Sequence, residues 1–189
     1  MISFLVEDKD KIMFNIGKFH VYCIILYSCI FKIFFMKPGT FTQMYVQIVF
    51  AVRDRENLLT KTIRPRVFEY ISGIITKLHH KSIIVNGYSD HVHIFLGLNP
   101  AVSVSDTVHD IKRGSSLFIN ENKLVPGRFS WQEGYGGFTY SKSQIGDVYR
   151  YIENQEEHHS GRSFREEYIS FLEKNEIKYE TRYLFEFFD

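Results

Sequence analysis

The spacing of apolar residues predicts alternating strands and helices downstream of residue 36. Segments rich in β-branched and aromatic residues are typical of strands, and apolar side chains at helical spacing are typical of amphipathic helices. The predicted strands are residues 45–52, 82–88, 91–98 and the glycine-interrupted segment 129–140. The predicted helices are residues 63–78, 105–119, a helix that opens at Ser143, and the shorter segment 164–172.

Several local signals support these boundaries. Pro65 stands near the start of the first helix, where proline is tolerated. Ser103 or Ser105 is a suitable cap for the second helix. Gly87 predicts a bulge or bend near the end of the second strand. The short turn at residues 89–90 joins the second and third strands, which predicts a hairpin.

The order of these elements, β-α-β-β-α-β-α, predicts the fold class. It describes an α+β protein with a ferredoxin-like or RRM-like split βαββαβ sheet and an added C-terminal helix. No internal repeat or low-complexity linker interrupts the pattern. We therefore expect one domain over residues 36–189.

The first 35 residues do not fit this pattern. Residues 21–35 form an apolar run of about fifteen residues broken by Lys32, whereas a membrane helix needs roughly 20. No small-residue cleavage site of a secretory signal follows the run. We expect Met36 to be the natural start, with residues 1–35 as upstream sequence read in frame or a weakly ordered extension. A membrane anchor is the alternative.

Composition narrows the functional classes only modestly. The chain has 189 residues, of which 44% are hydrophobic, enough for a sizeable core. The net charge of +1 gives no basic footprint, so any contact with nucleic acid would come from local patches. The two cysteines, Cys23 and Cys29, form no disulfide framework, which fits a reducing cytoplasm.

His91 and His93 are the first candidate site. Residues two apart on a strand point to the same face, so both imidazoles converge while Val92 points to the opposite layer. Two neutral imidazoles are a natural start for a divalent metal site. An isolated pair of this kind is at least as often a surface or structural feature.

Tyr151 and Gln155 are the second candidate site. Four residues apart on a helix, they share one face and lie off the apolar stripe of that helix, which consists of Ile145, Val148, Tyr149 and Ile152. A tyrosine hydroxyl can attack a phosphodiester, and a carboxamide oxygen is a hard ligand that suits Mg²⁺ or Mn²⁺. The run at residues 154–159 lacks the HExxH spacing of zinc enzymes and is interpreted as the polar end of the helix rather than as a metal cluster.

These residues resemble the motifs of the HUH single-tyrosine transposases, small insertion-sequence and repeat-associated enzymes. DHVHIF at residues 90–95 is similar to the HUH motif, and YIENQEEHH at residues 151–159 is similar to the signature of the catalytic helix. FTQ at 41–43, DIKRGSS at 110–116 and WQEGYG at 131–136 also match. The resemblance runs from about residue 37 to the C-terminus.

The resemblance implies a metal-dependent mechanism of DNA strand transfer. His91, His93 and Gln155 would hold one divalent cation, Mg²⁺ or Mn²⁺, that polarises the scissile phosphate. Tyr151 would attack and leave a 5′-phosphotyrosine with a free 3′-hydroxyl. The covalent link would conserve the energy of the phosphodiester, so the reaction would need no ATP. The chain accordingly contains no phosphate-binding loop of the ATPase type.

The resemblance also implies partners. The expected substrate is single-stranded DNA with hairpins at the ends of a mobile element, and the expected assembly is a homodimer whose active site is shared between subunits. Lys112 and Arg113 are candidates for contacts to DNA phosphates, with an ordinary solvated helix face as the alternative. Trp131 and Tyr135 could stack on bases, although a core or turn role is at least as consistent with the sequence.

Three residues depart from the pattern or compete with the nucleophile. Gln47 stands in the first strand where relatives commonly carry histidine, so its role is open. Tyr149 is assigned to packing, and Tyr140 precedes the helix without a glutamine one turn later.

The alternatives to a strand transferase are a non-catalytic hairpin-binding protein, a membrane-anchored protein and a zinc hydrolase. The hydrolase ranks last because the sequence shows no third ligand with a glutamate base beside His91 and His93.

Overall fold

The computed structural model of the chain describes residues 5–8, 11–16, 19–21, 41–158, 163–180 and 184. The chain divides into two compact units, Met1–Thr42 and Gln43–Asp189. Most of the apolar run at residues 21–35, together with Met36, lies outside the described residues, so the interpretation of this segment stays a prediction. In the described part of the chain, no helix is both long and apolar enough to cross a bilayer.

The first unit contains a small antiparallel sheet. Its strands are β1 (Leu5–Asp8), β2 (Lys11–Ile16) and β3 (Phe19–Val21), which pair in chain order.

The second unit contains the predicted alternation of strands and helices. Its strands are β4 (Tyr45–Ala51), β5 (Lys81–Gly87), β6 (His91–Gly97) and β7 (Gly136–Tyr140). Its helices are α1 (Arg64–Lys77), α2 (Val104–Glu121), α3 (Ile145–Glu153), α4 (Gln155–His158) and α5 (Phe164–Lys174). Ser103 caps α2, because its side chain accepts a hydrogen bond from the backbone N–H of Asp106.

The sheet of the second unit confirms the predicted α+β fold. Its strand order is β5-β6-β4-β7, and every neighbouring pair is antiparallel, as the split βαββαβ arrangement requires. The last strand is shorter than predicted, since residues 129–135 form a loop that is held by the buried Phe129 and Trp131. The indole N–H of Trp131 donates to Ser115 Oγ, so this residue belongs to the core.

The two faces of the sheet differ in chemistry. One face carries the main hydrophobic core, where Ile48 and Phe50 of β4 meet Val92 and Ile94 of β6 beneath α1 and α2. Successive side chains of a strand point to opposite faces, so the residues between these apolar ones lie on the second face. Gln47 of β4 therefore lies on the same face as the histidines of β6. Both strands are buried on both faces, which excludes water from the polar residues of the second face.

Gly87 sets the approach between β5 and β6, and its role differs from the prediction. The irregularity in β5 lies between Ser82 and Ile84, not at Gly87. A Cβ atom at Gly87 would come within 2.3 Å of the His91 carbonyl oxygen and 2.8 Å of Val92 Cα. Glycine therefore permits the close backbone contact that begins the histidine strand.

Candidate metal centre and nucleophile

The structure brings His91 and His93 together on one face of β6. Both side chains are fully buried, and their ring centroids lie 5.1 Å apart. Val92 points to the opposite core, as the strand alternation predicts. The strand therefore presents two imidazoles to the same small volume.

Asp90 orients the first imidazole. Its Oδ1 lies 2.7 Å from Nδ1 of His91, so Nδ1–H donates to the carboxylate and Nε2 faces the cluster. A carboxylate behind a histidine is the usual support of a metal-ligating ring, because it fixes the tautomer and the ring orientation.

Glu167 of α5 joins the histidine pair, and the sequence reasoning missed it. Its carboxylate oxygens lie 3.9 Å from His91 Nε2 and 3.6 Å from His93 Nε2. One ligand atom from each of the three buried residues lies within 4.8 Å of the others, which suits one metal ion. The sequence contains a feature that could have identified this residue. Glu167 lies among Phe164, Tyr168 and Phe171 on the apolar face of an amphipathic helix, where an acidic residue is unusual.

Gln155 lies at the same cluster. The prediction that Tyr151 and Gln155 share one face of a single helix is wrong, because α3 ends at Glu153 and the chain turns at Asn154 before α4. This turn directs the Gln155 side chain inwards, where it is fully buried. Its Oε1 lies 3.4 Å from His91 Nε2, and its Nε2 donates to Glu167 Oε1 over 3.1 Å. Two imidazoles, a carboxylate and a carboxamide oxygen form a donor set that fits a divalent cation.

The protonation state of His93 also fits a metal ligand. Burial lowers the pKa of His93 and outweighs the opposing effect of the Glu167 carboxylate, so the ring is neutral at pH 7. Among the described residues, no hydrogen-bond partner reaches Nε2 of this ring. A neutral imidazole nitrogen in this position can donate its lone pair to a cation.

Gln47 contacts His93 at Nδ1, the ring nitrogen that faces away from the cluster, and Tyr140 contacts Gln47. Gln47 Nε2 lies 3.1 Å from His93 Nδ1, and the Tyr140 hydroxyl donates to Gln47 Oε1 over 2.8 Å. In this orientation the amide NH₂ donates to Nδ1, which puts the proton of the neutral ring on Nε2. If the amide is rotated by 180°, Nδ1–H donates to the amide oxygen and the amide nitrogen donates to the Tyr140 hydroxyl, which leaves Nε2 without a proton. Gln47, whose role the sequence left open, therefore lies where it can select the tautomer of His93.

Tyr151 lies beside this cluster and remains half-buried. Its ring centroid is 6.1 Å from that of His93 and 5.6 Å from that of Phe171. It lines a cavity of about 380 Å³ that Gln47 and Glu167 also line. The phenol is therefore accessible next to the candidate metal ligands.

The assignment of Tyr149 to packing is wrong. Its side chain is 37% exposed, whereas Val148 and Ile152 are buried. The buried face of α3 is centred towards Tyr151, which leaves Tyr149 at its solvent edge.

Helix α5 covers the cluster. The Phe164 ring stacks on His91 with centroids 4.1 Å apart, and Tyr168 and Leu172 pack against β4 and β7. Ser163 and Glu166 form a capping box that starts the helix at this point. His91, His93 and Gln155 are fully buried, and the cavity beside Tyr151 reaches the cluster at Glu167.

The structure does not place Lys112 and Arg113 at this cluster. Lys112 Nζ donates to the carbonyl oxygens of Gln132 and Gly134 and lies 4.9 Å from the Phe50 ring centroid, on the opposite side of the sheet. Burial lowers the pKa of Lys112 to about 8. Arg113 is exposed on the same helix. Their contact with DNA stays a prediction, and the His158 side chain and His159 lie outside the described residues.

The fold and the cluster define an α+β protein in which a buried group that could hold a metal ion lies beside a half-buried tyrosine. The family described as "Transposase IS200 like" matches residues 40–155, more than half of the chain. The chain belongs to this family of DNA-processing enzymes. The matched region contains His91, His93, Tyr151 and Gln155 but ends before Glu167.

Two solved structures are similar to this chain. One is a candidate transposase of Deinococcus radiodurans R1, with 21% identity, a TM-score of 0.50, and coverage of 64% of this chain and 97% of the other. The second is a REP-associated tyrosine transposase bound to a REP hairpin, with 14% identity, a TM-score of 0.48, and coverage of 66% and 74%. At 21% identity the likeness to the first structure concerns the fold. No curated protein matches the chain.

Proposed function

We propose that this transposase cleaves and rejoins single-stranded DNA with Tyr151 as nucleophile and one divalent cation. The observation that carries the proposal is the position of Tyr151, 6.1 Å between ring centroids from His93, in a cavity that reaches the cluster through Glu167. A phenol is a weak nucleophile at neutral pH, so it needs a partner that stabilises charge in the transition state.

His91, His93 and Gln155 are the proposed ligands of the cation, and Glu167 adds a fourth donor. The proposed cation is Mg²⁺ or Mn²⁺, since carboxylate and carboxamide oxygens suit hard cations and imidazole is tolerated by manganese. When bound, it supplies Lewis-acid stabilisation of charge at the scissile phosphate. Asp90 and Gln47 orient the two rings, which keeps Nε2 of each directed at the cluster.

The chemical step exchanges one phosphodiester for another. The Tyr151 oxygen attacks phosphorus and loses its proton to solvent, and the bond from phosphorus to the 3′ oxygen breaks. The 3′ oxygen takes up a proton, which leaves a 3′-hydroxyl and a 5′-phosphotyrosine. A 3′-hydroxyl of a second strand then attacks the same phosphorus and releases Tyr151, so the bond energy is conserved.

The proposed substrate is single-stranded DNA with hairpin ends, and the proposed assembly is a homodimer. Within one chain, Tyr151 and Gln155 already lie at that chain's own histidines. Mixing His91→Ala and Tyr151→Phe proteins tests whether the site is shared. Restored cleavage indicates that Tyr151 of one subunit acts together with the histidines of the other. Absent cleavage indicates that Tyr151 acts with the histidines of its own chain.

The decisive experiment measures a covalent adduct. Labelled hairpin-ended oligonucleotides with Mg²⁺ or Mn²⁺ are expected to give a protein–DNA adduct on denaturing gels. Tyr151→Phe is expected to abolish it, whereas Tyr149→Phe, two residues away on the exposed side of α3, leaves it unchanged. Adduct that persists in Tyr151→Phe contradicts the assignment of the nucleophile.

A metal hydrolase is the second candidate, because the buried Glu167 lies close enough to His91 and His93 to act as the third ligand that sequence reasoning did not find. His91, His93 and Glu167 match the two-histidine, one-glutamate set of hydrolytic zinc sites. Metal-dependent cleavage without any adduct would favour this candidate. Hairpin binding without cleavage would favour a non-catalytic binding protein.

A further inference from the structure

The cavity beside Tyr151 has features that metal binding alone does not require. It lies between α3 and α5 above β4 and β7, and its volume is about 380 Å³. Gln47 and Glu167 form its inner end, and Lys174 and Asn175 lie at its outer end. Glu167 and Lys174 are two helical turns apart, roughly 10 Å along the axis of α5. The cavity thus leads from the cluster to the surface.

The wall of the cavity combines aromatic rings with amide groups. Tyr140 and Phe171 provide the rings. Gln144 Oε1 accepts hydrogen bonds from the backbone N–H and the hydroxyl of Ser141, which directs its amide NH₂ away from that turn. Asn175 Nδ2 donates to the Phe171 carbonyl, so its carboxamide oxygen is the group that a ligand can use. The wall therefore offers an amide donor and a carboxamide acceptor next to flat apolar surface. The Ser170 hydroxyl and the Asp147 carboxylate also line it, and Arg150 pairs with this carboxylate.

Lys174 adds a positive charge at the rim. Its side chain is exposed in the last turn of α5, and no described residue forms an ion pair with it. An exposed ammonium of this kind can bind a phosphate. Aromatic surface, amide groups and an ammonium together match an unpaired nucleotide with its flanking phosphate.

We propose that this cavity binds one unpaired nucleotide of the scissile strand next to the cleaved bond. Its base lies against the aromatic wall and is read by Gln144 and Asn175, and Lys174 binds a flanking phosphate. This inference rests on the proposed function for its orientation, because Tyr151 places the cleaved phosphate at the inner end. The protein itself thereby selects one base at the cleavage site.

Base preference is the first test. Four oligonucleotides that differ only in the base next to the cleaved bond are expected to differ in adduct rate by about 5- to 150-fold, the range of one bidentate contact. Gln144→Glu keeps the acceptor that caps the Ser141 turn but replaces the amide donor by an oxygen, so it is expected to change the preferred base. Equal rates with all four bases, unchanged in Gln144→Glu, would overturn the proposal.

Salt dependence is the second test, and it does not require cleavage. Without metal, Lys174→Gln is expected to weaken binding of a single-stranded oligonucleotide and to reduce the slope of log K against log salt by about one. Lys77→Gln is the matched control, because Lys77 is also an exposed lysine in the last turn of a helix, on the far side of the sheet. Equal slopes for the two variants would contradict the phosphate contact.

The two tests separate failure of the subsite from failure of the proposed function. Absence of adduct with every oligonucleotide contradicts the function, and the salt slope of Lys174→Gln then still decides whether the cavity binds a strand. Adduct formation without base preference supports the function and overturns the subsite.

Discussion

Replacing Glu167 by glutamine tests the donor that only the structure revealed. The variant keeps the size of the side chain and an oxygen that accepts the hydrogen bond from Gln155, so the fold is expected to persist. What it removes is a buried negative charge whose oxygens lie 3.6 and 3.9 Å from the Nε2 atoms of His93 and His91. The attraction that matters is the one between this carboxylate and the proposed cation. Two unit charges about 4 Å apart interact by about 4 kcal/mol at an effective dielectric constant of 20.

Desolvation offsets part of this attraction, so we expect Glu167→Gln to weaken Mn²⁺ binding by about 100-fold, or roughly 2.7 kcal/mol. At a Mn²⁺ concentration of 100 times Kd, the wild-type protein gains about 2.7 kcal/mol of stability. For a domain of this size that gain raises Tm by about 5–10 °C. At the same concentration the variant gains only about 0.4 kcal/mol, or roughly 1 °C.

Calorimetric titration of Mn²⁺ and thermal unfolding with and without Mn²⁺ measure these quantities. Glu173→Gln is the matched control, because it removes an exposed carboxylate from the same helix and is expected to leave the Tm shift unchanged. An unchanged Kd for Mn²⁺ in Glu167→Gln would refute the assignment of Glu167 as a metal donor.

Three further predictions concern the scaffold and the support of the site. Gln47→Leu removes the contact to His93 Nδ1 and is expected to lower Mn²⁺ affinity about 10- to 100-fold by calorimetry, whereas Gln47→Glu restores an acceptor; wild-type affinity in Gln47→Leu would contradict this role. Gly87→Ala forces a Cβ against the His91 carbonyl and is expected to destabilise the fold by about 1–3 kcal/mol in urea unfolding, whereas Gly73→Ala, with open space around it, is expected to be neutral or stabilising. Desolvation lowers the pKa of His80, assisted by His79, and the neutral ring accepts from the Asn99 N–H and contacts the Thr107 hydroxyl. As the pH falls, His80 therefore takes up a proton at a higher pH in the unfolded chain than in the folded one. The free energy of unfolding should decrease as the pH drops below about 6.5, by up to about 1.4 kcal/mol per pH unit. His80→Gln should show a shallower dependence, and an identical pH profile would contradict the assignment.

Local periodicity predicted the elements of the second unit closely. The segment predicted as a helix at residues 63–78 forms Arg64–Lys77, and the strand predicted at 91–98 forms His91–Gly97. The predictions succeed because helical and strand spacing are properties of neighbouring residues. The prediction for Tyr149 was wrong, because the sequence shows an apolar stripe but not which edge of it the tertiary structure covers.

The sequence by itself determined that His91 and His93 share one face of a strand and that Tyr151 belongs to the helix that follows β7. It did not reveal the break at Asn154, which places Gln155 at the start of a separate helix. Only the tertiary structure decided that Glu167 completes the cluster, that Gln47 supports His93, and that Lys112 binds backbone carbonyls of the loop around Gly134. These contacts join residues far apart in the chain, and they depend on how α5 and the loop pack on the sheet. Spacing along one element carries no information about which distant element covers it, so only the packed structure reveals that Glu167 lies beside the two histidines.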